Sequence, residues 1–480
     1  VNTMASTNSV IDPSLSPTGD KLLDTMNARY FVVQEGGKSF VGTVETERGR
    51  ETLVLMRFAD FKNLHMNKRV DVGDKTVPLG TWWLQHRKRR QYDGLTFHPG
   101  NNARVINGKL NLWRGWAFQP RQGDWSKLRD HIWIVVASRK QEVFDYIMNW
   151  LAWCVQHPDQ RAEVVLVMQG KRGAGKGTVA NAMCKLLGQH ALQISSAEHL
   201  AGRFNGHLRD TVLLFADEAY WPGNKGAEGT LKRLVTEPTL FIEAKGRDGV
   251  EVPNLLHIMM ASNEDWVVPA GENERRYLVQ KVNNERLQDH GWFKAINDQL
   301  ADGGYEAMLY DLLHHDLGEF HPRQLPKCND LASQQALSLG PLDSWWVELL
   351  EIGTLAGCDP KEPNRAVSNK YEVKVVIGIG DRWVTRLGLY DQARNNEPRL
   401  RNVSDHKLGE FLGDQGCAND KKVLRRRGWT FPDLTECRHK WEARFPGWKW
   451  RNAKLSQWQT EDAEDEAEET PSGATVELPF

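Results

Sequence analysis

The chain has 480 residues, 40% hydrophobic and 26% charged, with six cysteines, 19 tryptophans and a formal net charge of −1. Its length exceeds one typical domain, and its composition is that of an ordinary globular protein. It excludes a disulfide-dense scaffold, because the six cysteines are scattered through 480 residues, and a helical membrane protein, because no apolar run approaches the ~20 residues a span needs.

Taken in chain order, residues 1–20 are polar, rich in Ser, Thr and Asn, and expected to be disordered. They lack the charged start and apolar centre of a signal peptide. With reduced, scattered cysteines, this predicts a cytoplasmic protein. Residues 21–139 read as an α/β accessory module, with strand-like runs at Tyr30–Val33, Thr52–Arg57 and Ile132–Val136 and a turn at Asn107-Gly108. His86-Arg-Lys-Arg-Arg90 is a basic cluster and a candidate for phosphate contact. Residues 141–157 place apolar side chains at i, i+3, i+4 and i+7, a helix that Pro158 ends.

A nucleotide-binding core is expected over 140–283. Val164-Val-Leu-Val-Met168 is an apolar run, followed by Gly170-Lys-Arg-Gly173-Ala174-Gly175-Lys176-Gly177-Thr178 and a helical segment to Leu187. Strand, glycine-rich turn and helix form the context of a phosphate-binding loop. The glycines let backbone N–H groups turn toward a polyphosphate, and the helix N-terminus adds partial positive charge. Lys176 would reach the β- and γ-phosphates. Gly177 stands where Ser or Thr usually supplies a magnesium ligand, so metal binding leans on Thr178, water or a downstream acid.

Thr211-Val-Leu-Leu-Phe-Ala-Asp217-Glu218 reads as a buried parallel strand delivering two carboxylates at its end. Asp217 would hold magnesium, and Glu218 would orient or deprotonate the attacking water. Phe241–Val252 reads as a β-hairpin whose tip carries Lys245 and Arg247, suited to a phosphate backbone. Leu255–Asn263 is a further apolar strand ending in an amide that can bridge water and γ-phosphate. Arg275 and Arg276 precede a short apolar strand, and an arginine there can complete a neighbouring subunit's site.

Residues 284–369 are expected to be a helical segment, with Trp345-Trp346 on an apolar stripe, and a Pro-, Asn- and Gly-rich linker at 357–369. Residues 370–455 form a last module, in which Ser404–Leu412 reads as a capped helix and Lys421–Phe431 as a basic strand and wing containing Arg425 and Arg426. Residues 456–480 are an acidic tail expected to be disordered. Glu461–Phe480 holds eight acids and no Lys or Arg, so the rest of the chain carries +7 and its basic clusters stand out. Tryptophans beside basic residues (Trp82, Trp83, Trp113, Trp429, Trp448, Trp450) are candidates for base stacking.

With these motifs in place, the chain resembles the superfamily 3 helicases of viruses and phages, a branch of the AAA+ ATPases. The nearest likeness is to phage and prophage primase-helicases related to the poxvirus type. Phosphate loop, acidic strand, basic hairpin, Asn-ending strand and arginines occur in that family's order within 164–279. Leu110–Pro120 with Gly123-Asp-Trp125 looks like the family's segment before the ATPase, and Leu331–Trp346 like the one after it. The resemblance implies an α/β fold with an AAA+ P-loop core and a C-terminal winged-helix-like domain that binds DNA. It also implies ATP and Mg2+ as cofactors, a hexamer on single-stranded or forked DNA, Lys176 as the loop lysine, Asp217 and Glu218 as the acidic pair, Lys245 as the hairpin lysine and Asn263 as the sensor. Arg275 or Arg276 would be the finger, the position before the strand favouring Arg276. No paired acidic element with a partner His suits priming, so a primase would sit on another polypeptide.

Two other classes stay open. Gly175-Lys-Gly-Thr178 is also a nucleotide-kinase pattern, and a non-unwinding AAA+ initiator, loader or defence ATPase would share the same site. The tail's end, Val476-Glu-Leu-Pro-Phe480, resembles the acidic tip of bacterial single-strand-binding proteins and suggests recruitment of host replication proteins.

Overall fold

A computed structural model describes residues 19–47, 50–72, 74–195, 205–218, 225–243, 248–271, 274–326, 330–376 and 381–460. The tail from 461 and most of the first twenty residues therefore lie outside the described residues. The chain divides into two compact units, one of residues 1–264 with 280–325 and the other of 265–279 with 326–480. The expected module 21–139 and most of 140–283 share the first unit, residues 265–279 fall in the second, and the helical segment is divided between the two. Its first part stays with the core because helix Tyr305–His314 packs on helix Gln141–Gln156, where Gln156 Nε2 donates to the Leu312 carbonyl at 2.8 Å.

The first unit opens on helix Gly19–Arg29 and a four-stranded sheet ordered 50–56, 38–47, 30–35, 91–92. Its core is aromatic. Tyr30 meets Phe61 edge-on at 5.1 Å, and Phe61 meets the fully buried Trp83 at 5.3 Å. The Trp83 indole donates to Asn27 Oδ1 at 2.9 Å. Trp83, Trp113 and Trp429 are all buried, so these three candidates for base stacking are packing residues instead. The run Ile132–Val136, expected as a strand, continues helix Ser126–His131 as a π-helical turn. Ile132, Val135 and Val136 are buried there, so β-branched residues were recruited to a helix's apolar face and tertiary burial overrode propensity.

Beyond this lies a five-stranded sheet ordered 191–194, 213–217, 257–262, 165–169, 277–281. The ladders joining the first four strands are parallel. Strands Val165–Gln169 and His257–Ser262 are buried throughout, and Leu213–Asp217 is buried up to its half-exposed last residue, as expected of a parallel sheet covered on both faces. The boundary between the units cuts the edge strand Tyr277–Lys281. Thr239–Ile242 and Val250–Pro253 pair antiparallel, the hairpin expected at this place.

The second unit contains helix Pro341–Ile352, strand Glu362–Val367, helices Leu389–Asn396 and Asp405–Asp414, hairpin strands Ala418–Val423 and Arg426–Thr430, and helix Leu434–Arg444. Strand Glu362–Val367 falls inside the expected linker 357–369. It becomes a strand by pairing with the hairpin, Ala366 opposite Trp429, which no local signal announces. Trp346 stacks on Phe431 at 5.9 Å in a core shared with Trp345, Leu408, Leu412 and Trp441. Ser404 caps its helix by accepting from the Lys407 N–H. Among the described residues no helix is long and apolar enough to cross a membrane.

Candidate functional site

The site forms where the parallel strands end. Strand Val165–Gln169 leads into Gly170, and helix Lys176–Leu187 begins six residues later. Gly173 and Gly175 hold φ of 83° and 86°, the left-handed region where a Cβ is disfavoured. The loop is tied down on three sides. The Gly170 N–H donates to the Ser262 carbonyl at 3.0 Å, and the Gly173 carbonyl accepts from the Gln288 N–H at 3.0 Å. The Gly175 carbonyl lies 3.1 Å from His131 Nε2. A side chain at Gly175 would meet His131 Cε1 at 2.5 Å and Phe293 Cε1 at 2.6 Å, so this position is sterically closed. Gly177 is different: a Cβ there would make ordinary contacts, 3.4 Å to Asn181 Nδ2 and 3.8 Å to Phe215 Cζ. Packing does not demand the glycine that replaces the usual Ser or Thr. Ala174 is buried, and Thr178 is half-buried at the start of the helix.

Lys176 is buried, and its ammonium donates to the carbonyls of Gly170 at 2.7 Å and Lys171 at 3.0 Å. Burial pulls its pKa down, and the fields of Glu218 and Asp217 push it back up. The lysine and both carboxylates are thus within electrostatic reach. Asp217 ends its strand opposite Ala261, and Gln193 Nε2 donates to its Oδ2 at 3.3 Å. Glu218 follows with φ of 55°, its N–H donating to the Ala261 carbonyl at 2.8 Å. A non-glycine residue held left-handed costs energy, and such strain clusters at functional sites. It turns the Glu218 side chain into solvent instead of continuing the strand. Gln169 pairs with Ser262, so the exposed Asn263 emerges beside the first residue of the loop. Lys176, Asp217, Glu218 and Asn263 therefore share one sheet edge. A cleft of about 780 Å³ runs from Thr178 past Asn181, Lys185 and Gln193, flanked by Phe118 and Tyr305.

The described residues contain no group of three or more His, Cys, Asp and Glu positioned to hold a metal. Asp217 and Thr178 offer hard oxygen donors, which suit a magnesium ion that takes its remaining ligands from water and phosphate.

His131 was not apparent from sequence. Trp292 Nε1 donates to its Nδ1 at 3.1 Å, and an indole N–H can only donate, so the ring proton sits on Nε2 and is given to the Gly175 carbonyl. Burial lowers the pKa of His131 to about 4, partly offset by that hydrogen bond, so the ring is neutral. The Arg286 guanidinium lies 4.4 Å from the Trp292 ring and pairs with Asp289 at 3.3 Å.

Other candidate residues fall elsewhere. Lys245 and Arg247 lie outside the described residues. Arg275 and Arg276 belong to the second unit. There Arg276 is gripped by the buried Glu274, Nε to Oε1 at 2.7 Å and Nη2 to Oε2 at 2.8 Å, while Arg275 is exposed. Arg425 and Arg426 are exposed on the hairpin of the second unit. Cys437 and His439 are spaced as zinc ligands can be, but no second pair lies near them in the chain, Cys437 is buried with its thiol pushed up to about 12, and His439 is exposed.

Residues 168–276 match the model of a protein family of unknown function, DUF5906. The chain is 27% identical over 168 residues to a DNA primase-polymerase of Nitratiruptor phage NrS-1. That match covers 33% of this chain and 23% of the phage protein, so it spans under a quarter of the relative's length. Two solved apo structures of the NrS-1 C-terminal region share the fold. One has a TM-score of 0.54 at 16% identity, covering 69% of this chain and 77% of that one. The other, an A form, has a TM-score of 0.53 at 16% identity, covering 69% and 79%. The chain is thus similar in part to a phage DNA primase-polymerase, and the family match covers the glycine loop and the acidic strand.

Proposed function

We propose that this chain is an ATP-driven DNA helicase of the superfamily 3, AAA+ type, acting in phage or mobile-element replication in a bacterial cytoplasm. The observation that carries the reading is the meeting of Lys176, Asp217, Glu218 and Asn263 at one sheet edge, with Glu218 in a strained backbone. Strand order and the similarity to the phage primase-polymerase support it.

In this reading Lys176 leaves the loop carbonyls for the β- and γ-phosphates of ATP, and the backbone N–H groups of 173–178 cradle them. Asp217 with Thr178 would hold Mg2+, which supplies neutralisation of phosphate oxygens when bound. Asn263 orients a water against the γ-phosphorus, and Glu218 accepts its proton as the P–O bond to ADP breaks. Subunits assemble as a hexameric ring in which an arginine of one subunit serves its neighbour. We assign that role to Arg275, because Arg276 is already neutralised by Glu274. Lys245 and Arg247 would contact single-stranded or forked DNA. The second unit, with its order of helix, strand, two helices and hairpin, serves as a winged-helix DNA-binding domain. The acidic tail recruits host replication proteins.

The test is ATP hydrolysis with and without single-stranded DNA, together with strand displacement on a fork. DNA-stimulated hydrolysis is expected, and Glu218→Gln should slow it about 10²-fold or more while nucleotide binding persists. Hydrolysis at the wild-type rate by Glu218→Gln removes the assignment. ATPase activity without displacement favours a non-unwinding AAA+ protein, and phosphoryl transfer to a nucleoside monophosphate favours a kinase.

A further inference from the structure

In the second unit the last hairpin strand, Arg426–Thr430, lies between Glu362–Val367 and Ala418–Val423. In DNA-binding folds built on a helix pair, the second helix is the one that enters a major groove. Here that helix is Asp405–Asp414, and its charge is wrong for the task. It exposes Asp405, Glu410 and Asp414 against Lys407 and His406. Asp405 is paired with Arg394, and His406 Nδ1 lies 3.5 Å from Glu410 Oε2. A helix face with three carboxylates is repelled by phosphates as it approaches a groove.

The adjoining hairpin has the opposite character. Lys421, Lys422, Arg425, Arg426 and Arg427 are all exposed, with no acid among them. None of the five makes an ion pair with another described residue, although Arg427 lies near enough to Asp405 to help lower that carboxyl's pKa, and the neighbouring Asp420 is taken by Arg365. The tip is a second observation. Only Leu424 and Arg425 join the two strands, and both are left-handed, with φ of 45° and 62°. Asn-Gly is the pair that such a turn favours. A leucine and an arginine are held there against local preference, and Leu424 stands 37% exposed at the apex.

We infer that this hairpin, and not the helix Asp405–Asp414, is the element with which the second unit grips duplex DNA. The five cations neutralise backbone phosphates, and Leu424 at the apex lies against the groove edge. Contacts to phosphates carry no sequence information, so the grip is sequence-independent and strongly dependent on salt. A domain that holds a duplex without reading it suits a protein that moves along DNA. The inference rests on the DNA-binding reading above and narrows it to one element.

The test uses the full chain, without nucleotide, binding a fluorescently labelled duplex at several salt concentrations. Thermal melting of each variant is followed in parallel. Arg425→Ala with Arg426→Ala should weaken binding about tenfold at physiological salt and lower the slope of log K against log salt by about 1.8, roughly 0.9 per lost phosphate contact. Leu424→Asn with Arg425→Gly relieves the turn, so it should melt higher than wild type and yet bind more weakly. His406→Ala with Lys407→Ala should bind as wild type does. Binding lost in the helix variant but kept in both hairpin variants overturns the inference. So do hairpin variants indistinguishable from a wild type that binds. A wild type that binds no duplex at any salt overturns the DNA-binding reading as well, and this inference with it.

Discussion

His86–Arg90 and Lys421–Arg427 look alike as strings of basic residues, but they fold to different ends. In the first, the Arg89 guanidinium donates to the Leu84 carbonyl and to Gln91. Arg90 donates to Tyr92 Oη at 2.7 Å and to the Asn27 carbonyl at 3.0 Å, with its guanidinium 5.5 Å from the Phe31 ring. Only Arg87 and Lys88 of that cluster are exposed. In the second, all five cations face solvent. The difference is one of surroundings. A short strand beside an aromatic core offers carbonyls and ring faces to an arginine, whereas a two-residue hairpin tip offers none. A cation is available to an outside partner only where its own chain leaves it unheld.

The same contrast separates two adjacent arginines, and there the largest effect is expected. If the exposed Arg275 completes a neighbour's site, Arg275→Ala should lower ATPase activity about 10³-fold or more with assembly intact. Mixing it with Lys176→Ala subunits should restore part of that activity. Arg276→Ala should act mainly by stranding the buried Glu274, seen as a lower melting temperature. A full loss of activity in Arg276→Ala at unchanged melting temperature would reverse the two roles.

His131 extends the comparison to a titrating group, and the expected effect is intermediate. Its folded pKa, about 4, lies below the unfolded 6.5. Above pH 6.5 neither state is protonated there and stability is fully present. As pH falls from 6.5 through 4 the unfolded state gains a proton that the folded state refuses, and stability is lost, by at most about 3 kcal/mol. His131→Gln retains an N–H donor for Gly175 but does not titrate, so its melting temperature should fall less steeply between pH 7 and 4. Equal slopes would mean that this histidine does not govern the acid response.

The smallest effects return to the two clusters. Arg90→Ala should cost about 1–2 kcal/mol of stability through its lost hydrogen bonds and leave the salt dependence of DNA binding unchanged. Arg426→Ala should cost no stability that denaturant titration can resolve. Similar stability losses for the two would dissolve the distinction between held and unheld cations.

How much of this was legible beforehand depends on range. The glycine-rich loop, the acidic strand and the Ser404 cap are written in stretches of about ten residues, where glycine geometry, apolar runs and a capping hydroxyl act locally. The Arg276–Glu274 pair was within reach too, since the partners are two residues apart, but strand position alone pointed to Arg276. The tryptophans at 83, 113 and 429 could not be sorted by their basic neighbours, because burial depends on what packs over them.

By itself, then, the sequence determined that a glycine turn between strand and helix would present Lys176, and that apolar strands would end in Asp217, Glu218 and Asn263. Only the tertiary structure decided that parallel registers bring those ends to one edge, that His131 and Trp292 brace the loop from segments far apart in the chain, that Glu362–Val367 is a strand, and that one basic cluster is consumed while the other stands open. Local signals suffice where a residue's own neighbours satisfy its backbone and charge. Where partners are distant in sequence, burial and register choose among residues that look alike in the chain.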